Sequence, residues 1–163
     1  MTTQRLDIPG VIAPPPLLFV AVIGIGLLLD WLFPAYVLYV LLPTWLRAIL
    51  AIACLAASIV LALPAIFGFR AEGTHVEPWK PSSALVTRGI YARLRNPMYV
   101  GLTLLLVGLA VLLASDWMLV LTVFFAVVMH YGVVLREERY LEAKFGDVYR
   151  KYKAAVSRYG IPF

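Results

Sequence analysis

The sequence predicts an all-α integral membrane protein, with about four transmembrane helices and a C-terminal amphipathic helix in the cytoplasm. Of its 163 residues, 63% are hydrophobic and 14% are charged, whereas soluble domains are about half apolar and a quarter charged. The apolar residues are concentrated in four long runs that polar segments separate. A chain of this length builds one compact domain, so we expect a single membrane domain over residues 1–163.

The four apolar runs predict the spans in order. They cover residues 17–33, about 45–69, 98–114 and 117–135, and the first follows a Pro14–Pro16 run that suits a helix start. At 1.5 Å per residue, the first and third runs reach about 25 Å, which is short of the roughly 30 Å hydrocarbon core. We therefore expect flanking residues or local thinning of the bilayer to complete these spans. No cleavable signal sequence is expected, because no small-residue cleavage motif follows the first run.

The basic residues predict the orientation of the spans. Arg5, five Lys or Arg between residues 70 and 97, and seven between 136 and 163 fall at one end of a four-helix arrangement, and Arg47 falls at the other. The positive-inside rule then places both termini and the 70–97 loop in the cytoplasm. Such a basic face suits anionic lipid headgroups, so the net charge of +5 requires no nucleic-acid partner.

The polar tail REERYLEAKFGDVYRKYK predicts an amphipathic helix. Its proposed inner face comprises Glu138, Leu141, Phe145, Val148 and Tyr152, and Gly146 is expected to bend or break it. A carboxylate on this face is unusual, and its neighbour Glu137 lies only about 100° away around the helix. Both acids are expected to border one cavity at the membrane surface, the alternative being a solvated helix end.

The segment RNPMYVG, residues 95–101, begins the third apolar run. Pro97 suits the first helical position and keeps Asn96 out of the helical conformation. The first N–H groups of that helix are then free to bind an anion, and Arg95 adds a cation that can bind a carboxylate with two parallel bonds. Gly101 allows a ligand or a neighbouring helix to approach closely. The alternative is a proline-initiated helix whose Arg and Tyr anchor it at the interface.

Four polar segments together resemble a known family. They read GTHVEP, LVTRGIYARLRNPMYVG, EERYLEAKFGDVYRKY and SRYGIP, and they lie within residues 66–163. This pattern resembles the isoprenylcysteine carboxyl methyltransferase and phospholipid N-methyltransferase superfamily of integral membrane enzymes. The resemblance implies a catalytic methyltransferase region over 66–163, which follows N-terminal transmembrane helices over 1–65. It also implies an S-adenosylmethionine pocket that is open to lipid on one flank, so that a hydrophobic substrate can enter.

The resemblance assigns the site residues. The family's Arg-His/Asn-Pro-x-Tyr motif falls on Arg95, Asn96, Pro97 and Tyr99, and its acidic pair falls on Glu137 and Glu138. Catalytic roles are expected for Arg95, Glu137 and Glu138. The cofactor-binding set is expected to comprise the motif residues, the acidic pair, Gly101, His130, Tyr149 and Tyr152. Asn96 replaces the His of the eukaryotic protein methyltransferases, which weakens the case for a prenylated-protein substrate. Ile90 and Ser157 each replace a Pro that is common in the family.

Other interpretations of these residues stay open. The tyrosines also suit an aromatic belt at the membrane interface, and His130 also suits a hydrogen-bonded packing role. No metal site is expected, because two distant His and Cys54 lack ligand spacing. No glycine-rich loop indicates a Rossmann-type methyltransferase.

The acceptor is left open by the sequence. An isoprenylcysteine-type carboxylate, a lipid amine and a small hydrophobic thiol all suit a pocket that opens to the bilayer. A carboxylate needs no base before it can attack a methyl group, whereas a protonated amine does. The alternatives to a carboxyl methyltransferase are a phospholipid N-methyltransferase and a non-catalytic, lipid-binding membrane scaffold.

Overall fold

The structure is a computed structural model that describes residues 7–160. Helices form all the regular structure in that range. Seven α-helices follow in order: α1 Pro15–Leu32, α2 Val37–Leu41, α3 Thr44–Ala71, α4 Pro97–Leu113, α5 Asp116–Met129, α6 Leu135–Phe145 and α7 Asp147–Ala155. A 3₁₀ turn covers Gly89–Ala92, and a π-helical segment, His130–Val134, joins α5 to α6 without a break.

The membrane-spanning helices match the apolar runs. Three helices are long and apolar enough to cross a membrane, namely Pro15–Leu32, Thr44–Ala71 and the continuous helix Asp116–Phe145. Helix α4 is the shorter apolar helix, with 17 residues. The prediction of an all-α membrane protein is therefore confirmed. Pro97 occupies the start of α4, as its position before the third run predicted.

Small residues bring α3 and α4 together. A Cβ atom on Gly101 would lie 3.2 Å from the backbone oxygen of Ser58, and one on Gly108 would lie 3.0 Å from the Cβ of Cys54. Close approach of helices through small residues is typical of membrane proteins, where van der Waals packing drives association. Gly101 thus serves the contact between helices, which was one of its two predicted roles.

The end of the bundle opposite the polar tail is closed by two aspartates. Asp116, at the start of α5, accepts hydrogen bonds from the backbone N–H groups of Val37 and Leu38 at 2.8 and 2.9 Å. Asp30 of α1 pairs with the hydroxyl of Ser115, which also caps α5. These bonds satisfy free N–H groups at two helix starts. They also join α1, α2 and α5 at this end of the bundle.

A π-helical segment interrupts the regular period of the fourth span. Its carbonyl at Gly132 accepts a hydrogen bond from the N–H of Ile12 at 3.1 Å, and Ile12 packs directly over this glycine. A π turn holds an extra residue, so the faces of α5 and α6 are offset from those of one regular helix. Seven positions separate His130 from Glu137, about two turns of a regular helix, and this spacing predicts nearly the same face. The two side chains instead line different spaces.

The C-terminal tail is two helices rather than one. Gly146 adopts φ 55° and ψ −127°, a conformation that favours glycine, and α6 ends there as predicted. The break rotates α7, so that Tyr149 is buried and Val148 is 64% exposed. The prediction that Val148 continues the inner face was wrong, because the stripe assumed one uninterrupted helical period.

The polar segments meet at one end of the bundle. The Lys144 ammonium lies 2.6 Å from the Asp7 carboxylate, and the backbone N–H of Arg95 donates to the carbonyl of Ser157 at 3.0 Å. The N-terminal segment, the loop before α4 and the C-terminal tail are therefore neighbours. That this end is cytoplasmic stays a prediction.

Cysteine labelling in cells tests that orientation. In a Cys54→Ser background, single cysteines at Ser83 and Lys151 should react only with reagents that reach the cytoplasm, since both positions are exposed at the polar end. A cysteine at the exposed Tyr39 should react from the opposite side. Labelling of Ser83 and Lys151 positions from different sides would contradict the arrangement of the four spans.

Candidate functional site

A buried ionic cluster lies at the polar end of the bundle. Glu138 of α6 is 5% exposed. Its carboxylate receives two hydrogen bonds from the Arg158 guanidinium, both at 2.8 Å. Arg95 adds a third cationic contact, with Nη2 3.2 Å from Oε1. Buried charges require such pairing, since an uncompensated carboxylate inside a protein is costly. The cluster therefore ties α6 to the start of α4 and to the C-terminal segment.

Arg95 has donor capacity that this cluster does not use. Its side chain is 5% exposed, and within residues 7–160 its Nε and Nη1 atoms have no hydrogen-bond partner. Buried donors without partners are rare because each costs free energy. Both atoms belong to a residue that lines an internal cavity. Each of these N–H donors can make a charge-assisted hydrogen bond to a carboxylate, a phosphate or another acceptor.

The start of α4 adds further donors to the same cavity. Asn96 lies outside the helix at φ −125° and ψ 52°, and no side chain caps the helix. Its Nδ2 donates to the carbonyl of Arg158 at 3.2 Å. Because Pro97 has no N–H and the next N–H groups lack partners within the helix, this end of α4 attracts negative charge. The start of α4 and the unpartnered nitrogens of Arg95 therefore both favour an anionic group in this cavity.

The second acid has a different partner. The Tyr99 hydroxyl donates to Oε2 of Glu137 at 2.7 Å, which joins α4 to α6. Among the described residues, Glu137 makes no ion pair within 4.0 Å, unlike Glu138. The two neighbouring acids therefore have separate roles, with Glu138 bound to arginines and Glu137 to a phenol. Glu137 retains capacity to accept a hydrogen bond from a ligand.

Aromatic residues complete the cavity wall. Tyr91 of the 3₁₀ turn is 4% exposed, and no group in the described part of the chain bonds its hydroxyl. The Tyr152 hydroxyl donates to the carbonyl of Tyr91 at 2.7 Å. Burial raises the pKa of Tyr91, Tyr149 and Tyr152 above the ordinary phenol value. These phenols stay protonated, so they offer hydrogen-bond donors and uncharged ring faces.

The cavity holds about 60 Å³, room for about two waters. The loop between α3 and α4 covers it, and His75, Glu77 and Leu85 of this loop line its wall. The loop is tied down by a few hydrogen bonds. The N–H of Ser82 donates to the Tyr140 hydroxyl of α6 at 3.1 Å, and within the loop the N–H of Ser83 donates to the Thr74 hydroxyl at 2.9 Å. At the end of this covering loop, residues 72–88, Val86 is buried against Ala65 and Tyr91.

An apolar groove opens from the opposite side of Tyr99. It has a volume of about 490 Å³, within the range of small-molecule sites. Its walls come from α4 and α5 and include Val100, Leu104, Val127 and Met129. Tyr99 lines both the groove and the polar cavity. One tyrosine therefore separates a polar compartment from an apolar one.

The structure brings together all but two of the predicted site residues. Arg95, Asn96, Pro97, Tyr99, Glu137, Glu138, Tyr149 and Tyr152 line the polar cavity. Gly101 lies against α3, and His130 lines the apolar groove with Tyr159. Tyr91 and Arg158 were missed as site residues. Tyr91 lies in the segment LVTRGIYARLRNPMYVG and Arg158 in SRYGIP. The resemblance of these segments to the family could have identified both residues.

The comparison with known protein families agrees with this arrangement. A family model described as phospholipid methyltransferase matches residues 46–148, from the start of α3 into α7. The chain belongs to the phospholipid methyltransferase family. The resemblance drawn from the RNPMY and acidic-pair motifs is confirmed, and the chain is a membrane protein of methyltransferase type.

Two curated relatives share part of the chain. An uncharacterized protein of Haemophilus influenzae is 39% identical over 62 residues, which cover 38% of this chain and 98% of that protein. The protein-S-isoprenylcysteine O-methyltransferase of Schizosaccharomyces pombe is 41% identical over 81 residues, or 48% of this chain. The match spans 33% of the fission yeast enzyme. No solved structure gives a significant match.

Proposed function

We propose that the protein is an S-adenosylmethionine-dependent methyltransferase that acts on a hydrophobic or lipid-like acceptor. The observation that carries this proposal is the pair of unpartnered, buried donors on Arg95, in a cavity whose wall also holds a free carboxylate oxygen and several tyrosines. The cofactor has a carboxylate, an ammonium group, ribose hydroxyls and an adenine ring. The residues present fit each of these groups.

Each part of the cofactor has a suitable partner in the cavity. Arg95 would donate to the carboxylate from one of its unpartnered nitrogens, Nε or Nη1, supported by the open start of α4. Glu137 would accept hydrogen bonds from the ammonium group or the ribose. Tyr91, Tyr149 and Tyr152 offer ring faces and hydroxyls to the adenine. Glu138 is already bound to two arginines, so we assign it to holding Arg95 in position.

The cavity must enlarge to admit a nucleoside. Ligand sites of this kind measure about 300 to 1,000 Å³, whereas this cavity has about 60 Å³. We assign this movement to residues 72–82 of the covering loop, which the Ser82–Tyr140 hydrogen bond joins to α6, whereas Val86 packs the end of the loop into the core. When it closes again over a ligand it excludes water, which strengthens the charge interactions within the site.

The bound cofactor supplies an electrophilic methyl group on a sulfonium, and the protein has to position an acceptor in line with it. Positioning of this kind accounts for much of the rate in group transfer. We assign the acceptor to the apolar groove, since its walls suit a hydrocarbon chain and it reaches the cavity at Tyr99. The groove lies within the membrane-spanning helices, so the acceptor would enter from the bilayer. We also propose that this catalytic end faces the cytoplasm, as the basic residues predict.

Cofactor binding and methyl transfer test the proposal separately. The purified protein should bind S-adenosylmethionine and S-adenosylhomocysteine in titration calorimetry. With a labelled cofactor it should transfer methyl groups to a component of a membrane lipid extract, which mass analysis of the product identifies. Binding of neither cofactor form would refute the proposed function. Binding of lipid without either cofactor would favour the non-catalytic scaffold.

A tryptophan that fills the groove tests where the acceptor binds. Val127 lines the groove and is 50% exposed, so Val127→Trp should lower methyl transfer to the lipid acceptor about tenfold or more, a loss near 1.4 kcal/mol. Cofactor affinity should be unchanged. Val60→Trp, on a lipid-facing position of α3 that is 64% exposed, is the matched control and should leave both quantities as in the parent. Equal activity of the two variants would exclude the groove.

A further inference from the structure

We infer that His130 is the proton acceptor for an acceptor lipid that carries an ammonium group, and that Tyr159 is its positioning residue. This inference rests on the proposed function and names the chemical class of the acceptor. It concerns a titratable group inside a membrane span that binding of the cofactor does not use.

His130 lies within the fourth span, about 10 Å along the helix from Glu137 at the polar end. It is 14 positions after the first residue of α5, which places it about 21 Å along the helix. Titratable side chains within a membrane span are rare and commonly functional. His130 is half-buried and lines the apolar groove instead of packing into the core. A packing role alone does not account for that placement.

Tyr159 holds the imidazole by one nitrogen. Its hydroxyl lies 2.7 Å from Nδ1 of His130, and among residues 7–160 no group bonds Nε2. If Nδ1–H donates to the phenol oxygen, Nε2 has the lone pair. The ring can then accept a proton on Nε2 without losing the bond to Tyr159. The rings of Tyr131 and Tyr159 lie 4.7 and 5.9 Å from the imidazole, so its neighbours on both sides are uncharged phenols.

The charges around the groove favour an amine over a carboxylate. Among the described residues, its lining contains no Lys or Arg that could bind a carboxylate acceptor. Tyr99, which lines the groove, donates a hydrogen bond to the Glu137 carboxylate on its other side, in the polar cavity. An ammonium group in the groove meets the imidazole of His130 and the phenols of Tyr99, Tyr131 and Tyr159. Each of them attracts or accepts from a cation.

The proton balance defines what His130 does. An alkylammonium has no lone pair, so it cannot attack a methyl group until its N–H bond breaks. Nε2 takes that proton and becomes an imidazolium N–H, and the bonding pair stays on the amine nitrogen. The nitrogen then forms its bond to the methyl group while the S–C bond breaks and sulfur keeps that pair. The imidazolium returns its proton to water at the membrane surface.

Two variants separate proton transfer from packing. His130→Asn keeps a polar group beside Tyr159 but accepts no proton, and His130→Phe keeps an aromatic ring. Both should lower methylation of N,N-dimethylhexadecylamine about 100-fold, the usual contribution of a general base, and leave binding of S-adenosylhomocysteine unchanged. If His130→Asn retains the parental rate, the inference is overturned while the methyltransferase stands. If the parent methylates a long-chain carboxylate and not the amine, the inference is overturned as well.

A labelling measurement tests the contact without turnover. Diethyl pyrocarbonate acylates unprotonated imidazole, and the chain has two histidines, His75 and His130, which peptide mass analysis distinguishes. At ten times its Kd, N,N-dimethylhexadecylamine should slow acylation of His130 by roughly tenfold. Hexadecan-1-ol should have little effect, and the rate at His75 should not change. Equal protection by the alcohol would show that the groove binds the chain only, and would refute the ammonium contact.

Discussion

Replacing Glu138 by Gln should destabilise the protein by about 3 to 5 kcal/mol, the usual cost of removing one partner from a buried ion pair. Glu138 forms an ion pair with Arg95 and accepts two hydrogen bonds from Arg158. Gln has nearly the same shape but no charge, so it would leave two cations in a site with 5% exposure of the Arg95 side chain. The free energy of unfolding, from reversible denaturation in detergent, measures this loss.

Glu142→Gln is the control for that experiment. Glu142 also lies on α6 and pairs with Lys153 at 3.1 Å, but its side chain is 34% exposed and that of Lys153 is 40% exposed. Pairs at the surface contribute little because water screens them, so we expect a change within about 0.5 kcal/mol. If Glu138→Gln behaves like Glu142→Gln, the cluster does not hold α4, α6 and the C-terminal segment together.

The cost of burying an unpaired charge also determines which site residues the sequence could predict. The acidic pair and the RNPMY segment were recognised from residue type, because a carboxylate and an arginine at membrane boundaries are costly unless they have partners. The sequence did not predict that the two acids have different partners. Which acid meets Arg158 and which meets Tyr99 depends on the rotation of α6 after the π segment, and sequence periodicity assumes a regular helix there.

The same limit applies to the fold. The four apolar runs predicted the spans to within a few residues, since composition and length alone determine which segments can cross a bilayer. The short helix α2 was not predicted, because its five residues are held by hydrogen bonds to Asp116, 78 and 79 positions away. Val148 was wrongly predicted to face inward, because the helix break at Gly146 interrupts the helical periodicity of the tail. Local pattern identifies the elements, and long-range contacts fix how they are rotated.

Arg95 connects the stability of the cluster to ligand binding. One of its nitrogens contacts Glu138, and two are without partners in the described part of the chain. The carboxylate of Glu138 would keep its two bonds to Arg158 if Arg95 were removed. Removal of the arginine therefore leaves the acid compensated, whereas removal of the acid leaves both arginines uncompensated. Glu138→Gln should therefore mainly lower the stability of the protein, and Arg95→Ala should mainly lower its affinity for the cofactor.

Arg95→Ala should weaken binding of S-adenosylmethionine by about 1.5 to 3 kcal/mol, the loss of a charge-assisted hydrogen-bonded contact. The protein should stay folded, because Glu138 retains Arg158. S-adenosylhomocysteine has the same carboxylate but no sulfonium charge, so its affinity should fall by the same factor. Unequal losses would point to a contact with the sulfonium instead.

Two further substitutions decide whether the guanidinium geometry matters. Arg95→Lys should recover only part of the affinity, since a lysine ammonium on its flexible stem does not hold donors in the fixed directions of a guanidinium. Arg93→Ala removes an exposed arginine two positions away and should leave calorimetric Kd values at the parental level. If Arg95→Ala binds both cofactor forms as Arg93→Ala does, the unpartnered nitrogens of Arg95 do not hold the cofactor. A full recovery by Arg95→Lys would instead mean that the site requires a positive charge and no particular arrangement of donors.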